Sequence, residues 1–182
     1  MTKFDDFTFE HLNGLQVGKI GEYWAKIWMT FAGFDIYTTD VDDKGIDFII
    51  RTDDENHIDV QVKTIREKTG YVFVTKSKWK SGLRKNLYLI LVLLKNNQMP
   101  SVFFIPSKVW ENPTALFTEK NYEKEGQKSP PEWGINISQK NLKELEQYEI
   151  TKFIAKNKST ARTSDSLLPT HNGHLTELKY EL

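Results

Sequence analysis

Gly45-Ile46-Asp47 and Gln61-Val62-Lys63 place an acid, an amide and a lysine fourteen residues apart on two stretches that both read as β-strands. Gly45–Arg51 and His57–Ile65 alternate in polarity, and Thr52-Asp53-Asp54-Glu55-Asn56 between them are turn formers. A hairpin centred on Asp54 sets Arg51 opposite His57, Ile49 opposite Asp59, Asp47 opposite Gln61 and Gly45 opposite Lys63. Opposed Cβ atoms in such a pair lie roughly 4.5–5.5 Å apart, close enough for Asp47 and Gln61 to hold one cation between them. Lys63 projects from the same face, and Ile46, Phe48, Ile50, Ile58, Val60 and Val62 make the opposite, core face. Solvation alone also gives a hairpin one polar face, so this pattern leaves both readings open.

A helix must stand beside that hairpin. From Gln16 to Ala32 the residues Ile20, Tyr23, Trp24, Ile27, Trp28 and Phe31 recur at helical spacing, and Gly33 is placed to stop the helix. Gly18, Gly21 and Ala25 form a small-residue ridge that allows a close approach, although a helix-interior glycine costs about 1 kcal/mol. Glu22 sits beside the ridge, where an exposed pair with Lys26 at i,i+4 is the plain alternative to a role in a site.

In this order, Gly18-Lys19-Ile20-Gly21-Glu22, Gly45-Ile46-Asp47 and Gln61-Val62-Lys63-Thr64 resemble the PD-(D/E)xK endonuclease-like superfamily. The variant is the one with Gln in place of the second acid, as in Mrr-type restriction enzymes. More narrowly, the chain looks like a bacterial family of that superfamily still described as a domain of unknown function. The resemblance covers residues 14 to about 110. It implies an α/β fold of restriction-endonuclease-like type, a mixed β-sheet flanked by helices, and a metal-dependent DNA endonuclease serving restriction, phage defence or repair. On that model Asp47, the Gln61 amide oxygen, the Val62 carbonyl and Glu22 would hold Mg²⁺ or Mn²⁺. Lys63 would orient the attacking water and offset phosphate charge, because neighbouring acids oppose the pKa drop a lysine base needs. The alternative of another class is a catalytically idle nuclease-like module that binds nucleic acid or a protein within a larger assembly.

Charge adds a second pointer. Lys+Arg and Asp+Glu are balanced at 25 each, yet residues 1–60 carry 5 against 13, net −8, and residues 61–95 carry 9 against 1, net +8. Lys76, Lys78, Lys80, Arg84 and Lys85 surround Trp79, a basic patch with an aromatic of the kind that tracks a nucleic-acid backbone. A solvated connection between strands would show the same lysines.

The 182 residues suit one domain, assigned to 1–154, followed by a flexible tail over 155–182 that is rich in Lys, Ser, Thr and Asn. Phe34–Thr38, Tyr71–Thr75, Leu87–Leu94 and Ser101–Ile105 read as further strands, Leu87–Leu94 as one buried on both faces. A short helix is expected from Pro106, a loop excursion over 111–134, and a helix from Ser138 to about Tyr148. The absence of cysteine excludes thiol catalysis and cysteine zinc sites and agrees with a cytoplasmic location. No signal segment or membrane span is legible, and a homodimer or a protein partner in a defence system is compatible with the chain. Asp40–Gly45 opens like a calcium loop but has Lys44 and Arg51 where ligands belong, so it reads as a turn. His171 and His174 stand without acids nearby, and neither a phosphate loop nor a serine-hydrolase elbow is present.

Overall fold

The computed structural model describes residues 7–38, 44–123 and 126–156. The expected turn at Asp40–Gly45 falls mostly outside these residues, as does the tail from residue 157 with His171 and His174. Ala155 and Lys156, assigned to the tail from composition, instead complete a helical segment at 150–156. No helix among the described residues is long and apolar enough to cross a membrane.

The fold is mixed α/β. Strands β1 (Asp35–Tyr37), β2 (Phe48–Arg51), β3 (His57–Arg66), β5 (Leu87–Leu94) and β6 (Ser101–Pro106) form one sheet in the order β1-β2-β3-β5-β6. Only the β3–β5 pair is parallel. Strands β4 (Tyr71–Thr75), β7 (Phe117–Lys120) and β8 (Glu132–Asn136) form a second, antiparallel sheet in the order β4-β8-β7. The loop expected over 111–134 is therefore corrected: it contains β7 and the start of β8. Phe117 and Trp133 anchor these short strands in the core, where single buried side chains outweigh a polar surrounding sequence.

Alternation along the central strands sends side chains into two cores. Helix α1 (Gly14–Phe31) and the segment 150–156 cover one face with Val60, Val62, Ile90, Val92 and Phe104. On the other face, Ile65, Leu89, Leu91 and Ile105 meet the second sheet, Trp79, Trp110 and Leu145 of α2 (Gln139–Leu145). The expected flanking by helices thus holds on one face, while a small sheet covers most of the other. β5 is buried on both faces, as its unbroken apolar run requires.

Helix α1 is fixed at both ends. Asn13 and Gln16 exchange side-chain to backbone hydrogen bonds of 2.9 Å in a capping box, and Gly33 ends the helix at φ +85°. Arg66, at the end of β3, donates to the carbonyl oxygens of Phe9, at 3.0 Å, and Leu12. Of the expected small-residue ridge, Gly21 and Ala25 are where α1 meets the sheet, while Gly18 lies off the contact. Val17, Gly21, Ala25 and Met29 face the sheet, whereas Tyr23 and Phe31 are 59% and 73% exposed. The reason is distance: a Cβ on Gly21 would lie 1.7 Å from Thr64 Oγ1 and 2.8 Å from Thr64 Cβ, so α1 approaches β3 too closely for a larger side chain.

Candidate active site

The β2–β3 hairpin has the register its alternation predicts, with Phe48, Ile49, Ile50 and Arg51 opposite Val60, Asp59, Ile58 and His57. Asp53 closes the turn by accepting from the backbone N–H groups of Glu55, 2.9 Å, and Asn56, 2.8 Å. These bonds hold its carboxyl below the ordinary value.

Beyond Phe48 the register slips. The Asp47 N–H donates to the Val60 carbonyl at 2.9 Å, and Ile46 enters the core opposite to the one Phe48 enters. The expected facing of Asp47 with Gln61 and of Gly45 with Lys63 is corrected accordingly. Gly45, at φ +68°, lies against Gln61 instead, because a Cβ there would stand 3.1 Å from Gln61 Nε2 and 3.1 Å from Lys78 Cβ. A glycine is needed on both counts.

The slip opens an edge. β2 begins only at Phe48, opposite Val60, while β3 continues to Arg66, so the β3 backbone past Val60 has no β2 partner. Asp47 fills part of that gap: its Oδ2 accepts the Val62 N–H at 2.5 Å. In an extended strand the N–H and C=O of one residue point to the same side, so the Val62 carbonyl faces this edge too.

Gln61 and Lys63, two apart on β3, share the face turned toward the second sheet. Gln61 is only 6% exposed, which removes the reading of this face as merely solvated there. Its Oε1 is buried without a hydrogen-bond partner, an arrangement that costs about 1–3 kcal/mol unless something accepts the lone pairs. Lys63 is half-buried.

Glu22 arrives from α1, on the other face of β3. Its partner is Lys19, Nζ to Oε2 2.6 Å, and not Lys26, whose ammonium lies 5.8 Å from the centroid of the Phe48 ring. Glu22 first, by hydrogen bond and charge, and Asp47 more weakly by charge hold the Lys19 ammonium above its ordinary pKa. Lys19 and Glu22 thus form an ion pair on the α1 side of β3, on which the Asp47 charge acts only weakly. Sequence reasoning passed over Lys19, although its i,i+3 spacing to Glu22 was legible.

Among the described residues no three His, Cys, Asp or Glu side chains converge as a metal cluster. The oxygens along this stretch of β3 are the Asp47 carboxylate and the Val62 carbonyl at the edge, the orphaned Gln61 amide on the face toward the second sheet, and Glu22 on the α1 face. That set is all oxygen and fits a hard divalent cation such as Mg²⁺.

The basic patch divides. Trp79 is 2% exposed and packs on Trp110 and Trp133 at ring distances of 5.8 and 5.5 Å, which corrects the expectation of an aromatic presented to a ligand. Lys76 is bound to Glu119 and Asn121, and Arg84 to Asp59, so both charges are already matched within the fold. Lys78, Lys80 and Lys85 are exposed, and Lys78 stands where Gly45 meets Gln61.

Neither a protein-family model nor a curated protein sequence matches the chain. Among solved structures, the chain is similar to the bacterial homing endonuclease I-Ssp6803I, at 13% identity and a TM-score of 0.46, over 84% of this chain and 98% of that one. It is also similar to the Holliday junction resolvase Hjc of the archaeal hyperthermophile Archaeoglobus fulgidus, at 10% identity and a TM-score of 0.39, over 65% of this chain and 83% of that one.

Proposed function

We propose that the chain is a divalent-cation-dependent DNA endonuclease whose site lies at the open edge of β3. The observation that carries this reading is the buried, unpartnered Oε1 of Gln61, one residue before the Val62 whose N–H the Asp47 carboxylate caps. A buried amide oxygen without a protein partner is costly, and a cation that accepts its lone pairs would offset that cost.

In this reading Asp47 is the principal ligand, with Gln61 Oε1, the Val62 carbonyl and Glu22, directly or through water, completing the shell. A bound Mg²⁺ or Mn²⁺ supplies charge stabilisation on the scissile phosphate and activates water. Lys63 holds that water by hydrogen bond and offsets the charge growing on the phosphate. Lys78, Lys80 and Lys85 draw the DNA backbone to the edge without reading its sequence. Restriction, phage defence and repair are all compatible uses of the same chemistry.

Nicking of supercoiled plasmid with Mg²⁺ or Mn²⁺, abolished by EDTA, tests the reading. Intact plasmid under all conditions would overturn the nuclease. A second reading, an idle nuclease-like module that binds DNA or a protein, is favoured by one observation: only two acids, Asp47 and Glu22, contribute to the site among the described residues. DNA retention without nicking would select it.

A further inference from the structure

Metal sites built from carboxylates carry unbalanced negative charge until they are filled. At this edge the balance comes from the protein itself. Lys19 lies one helical turn before Glu22, its ammonium 2.6 Å from Glu22 Oε2, and the pair is partly open to solvent with 55% and 25% of the two side chains exposed. The Asp47 charge acts on the same ammonium, in the same direction as Glu22. Lys26, a turn further on and equally able by spacing to reach Glu22, lies instead over Phe48. The choice of Lys19 therefore puts a positive charge directly on Glu22, one of the two acids that the proposed cation would use.

We propose that Lys19 is a displaceable counter-ion of the site: its ammonium occupies Glu22 in the metal-free protein, and a divalent cation binding there must break that contact. This inference rests on the metal-site reading above. Two consequences follow from charge alone. The cation binds against the repulsion of a nearby ammonium, so Lys19 weakens its affinity. Once expelled from Glu22, Lys19 stands at the mouth of the site as a further positive charge for a DNA phosphate, so cation and DNA binding reinforce each other. Lys19 is thus a positioning residue that links the two ligands.

Calorimetric titration of Mn²⁺ into the full chain tests this without any reliance on cleavage. Wild type, Lys19→Met, Lys19→Arg and Asp47→Asn are compared at low ionic strength. Removing a unit charge several ångströms from a dication at a solvent-exposed edge should tighten Mn²⁺ binding about 3- to 10-fold in Lys19→Met. Lys19→Arg, which keeps the charge and can reach Glu22, should stay near wild type. In the presence of a DNA duplex the advantage of Lys19→Met should shrink, because wild-type Lys19 then has a phosphate to bind. Equal Mn²⁺ affinity in wild type and Lys19→Met, at a site that Asp47→Asn abolishes, overturns the role of Lys19 and leaves the metal site standing. Absence of Mn²⁺ binding in every chain, or binding indifferent to Asp47→Asn, overturns the metal site and the inference with it.

Discussion

The Asp47 carboxylate accepts the backbone N–H of Val62 at 2.5 Å, joining an acid just before β2 to a strand edge that β2 no longer covers. One oxygen of Asp47 thus holds the edge in place, and the proposed ligand role draws on the same carboxylate. The two duties are separable by substitution.

Asp47→Asn keeps an oxygen that can accept from Val62, while Asp47→Ala removes it and leaves a part-buried N–H to find another partner. A hydrogen bond to a charged group contributes about 1.5–3 kcal/mol. Asp47→Ala should therefore lower the melting temperature measurably and Asp47→Asn much less. Both should abolish cation-dependent nicking, since an amide replaces the charge a Mg²⁺ ligand needs. Nicking by Asp47→Asn at the wild-type rate would remove Asp47 from the chemistry.

Gly21 is predicted to resist a change that normally stabilises helices. Glycine to alanine in a helix interior gains about 1 kcal/mol from propensity. Here the new Cβ would lie 2.8 Å from Thr64 Cβ, an overlap that rotating the threonine side chain cannot relieve. Overpacking of this kind costs about 1–3 kcal/mol, so Gly21→Ala should come out destabilised in denaturant unfolding. Gly18→Ala, which meets nothing within 4 Å, should be neutral or stabilised.

For DNA, Lys78, Lys80 and Lys85 are the charges to remove, and Arg84 is to be kept because it binds Asp59. Replacing the three lysines with Gln should weaken binding to every duplex sequence alike. Each lost phosphate contact lowers the slope of log affinity against log salt by about 0.9, which salt titration of a labelled duplex measures. An unchanged slope would place the DNA surface elsewhere.

The β2–β3 hairpin was legible because period-two alternation and a five-residue polar turn both specify register, and all four observed pairs obey it. Asp47 was misplaced because its position depends on where β2 starts. That is decided by the positive φ of Gly45, by its contact with the Gln61 side chain and by the burial of Ile46 beneath the second sheet, and the last two depend on segments distant in sequence. The same limit explains Trp79. Its basic surroundings suggest a surface, but Trp110 and Trp133, from distant segments, enclose it. For α1 the close approach was legible in the small-residue ridge, of which Gly21 and Ala25 meet the sheet, whereas Gly18 meets nothing because it lies off the line of contact with β3.

Asp53 gives a pH test of the hairpin. Its carboxyl is held below the ordinary value by the N–H groups of Glu55 and Asn56, so the folded pKa lies below the unfolded one. The resulting stabilisation is present above the unfolded value, about 3.9, and is lost as pH falls through the folded pKa. Asn in this position can still accept the turn hydrogen bonds but does not titrate. Asp53→Asn should therefore show a shallower fall of melting temperature below about pH 4 than wild type. Parallel acid limbs would mean that the turn contributes nothing to the pH dependence.

Gln61→Glu is the sharpest discriminator between a cation site and a structural amide. Gln61 is buried at 6% exposure with its Oε1 unbonded, so the substitution places a carboxylate in a desolvated position one residue from the Val62 that Asp47 caps. Without a cation, burial and the neighbouring acid both disfavour the charged form, and the variant should melt below wild type at neutral pH. With a cation bound, the same carboxylate becomes a stronger ligand than the amide it replaces, and its attraction to a dication exceeds its repulsion from Asp47. Addition of Mn²⁺ or Mg²⁺ should therefore raise the melting temperature of Gln61→Glu by more than that of wild type, because whatever binds the native state stabilises it in proportion to its affinity. Cleavage should persist in the variant at a lower cation requirement. If millimolar divalent cation leaves both melting curves unmoved, no cation binds at Gln61, and the idle DNA- or protein-binding module becomes the reading that stands.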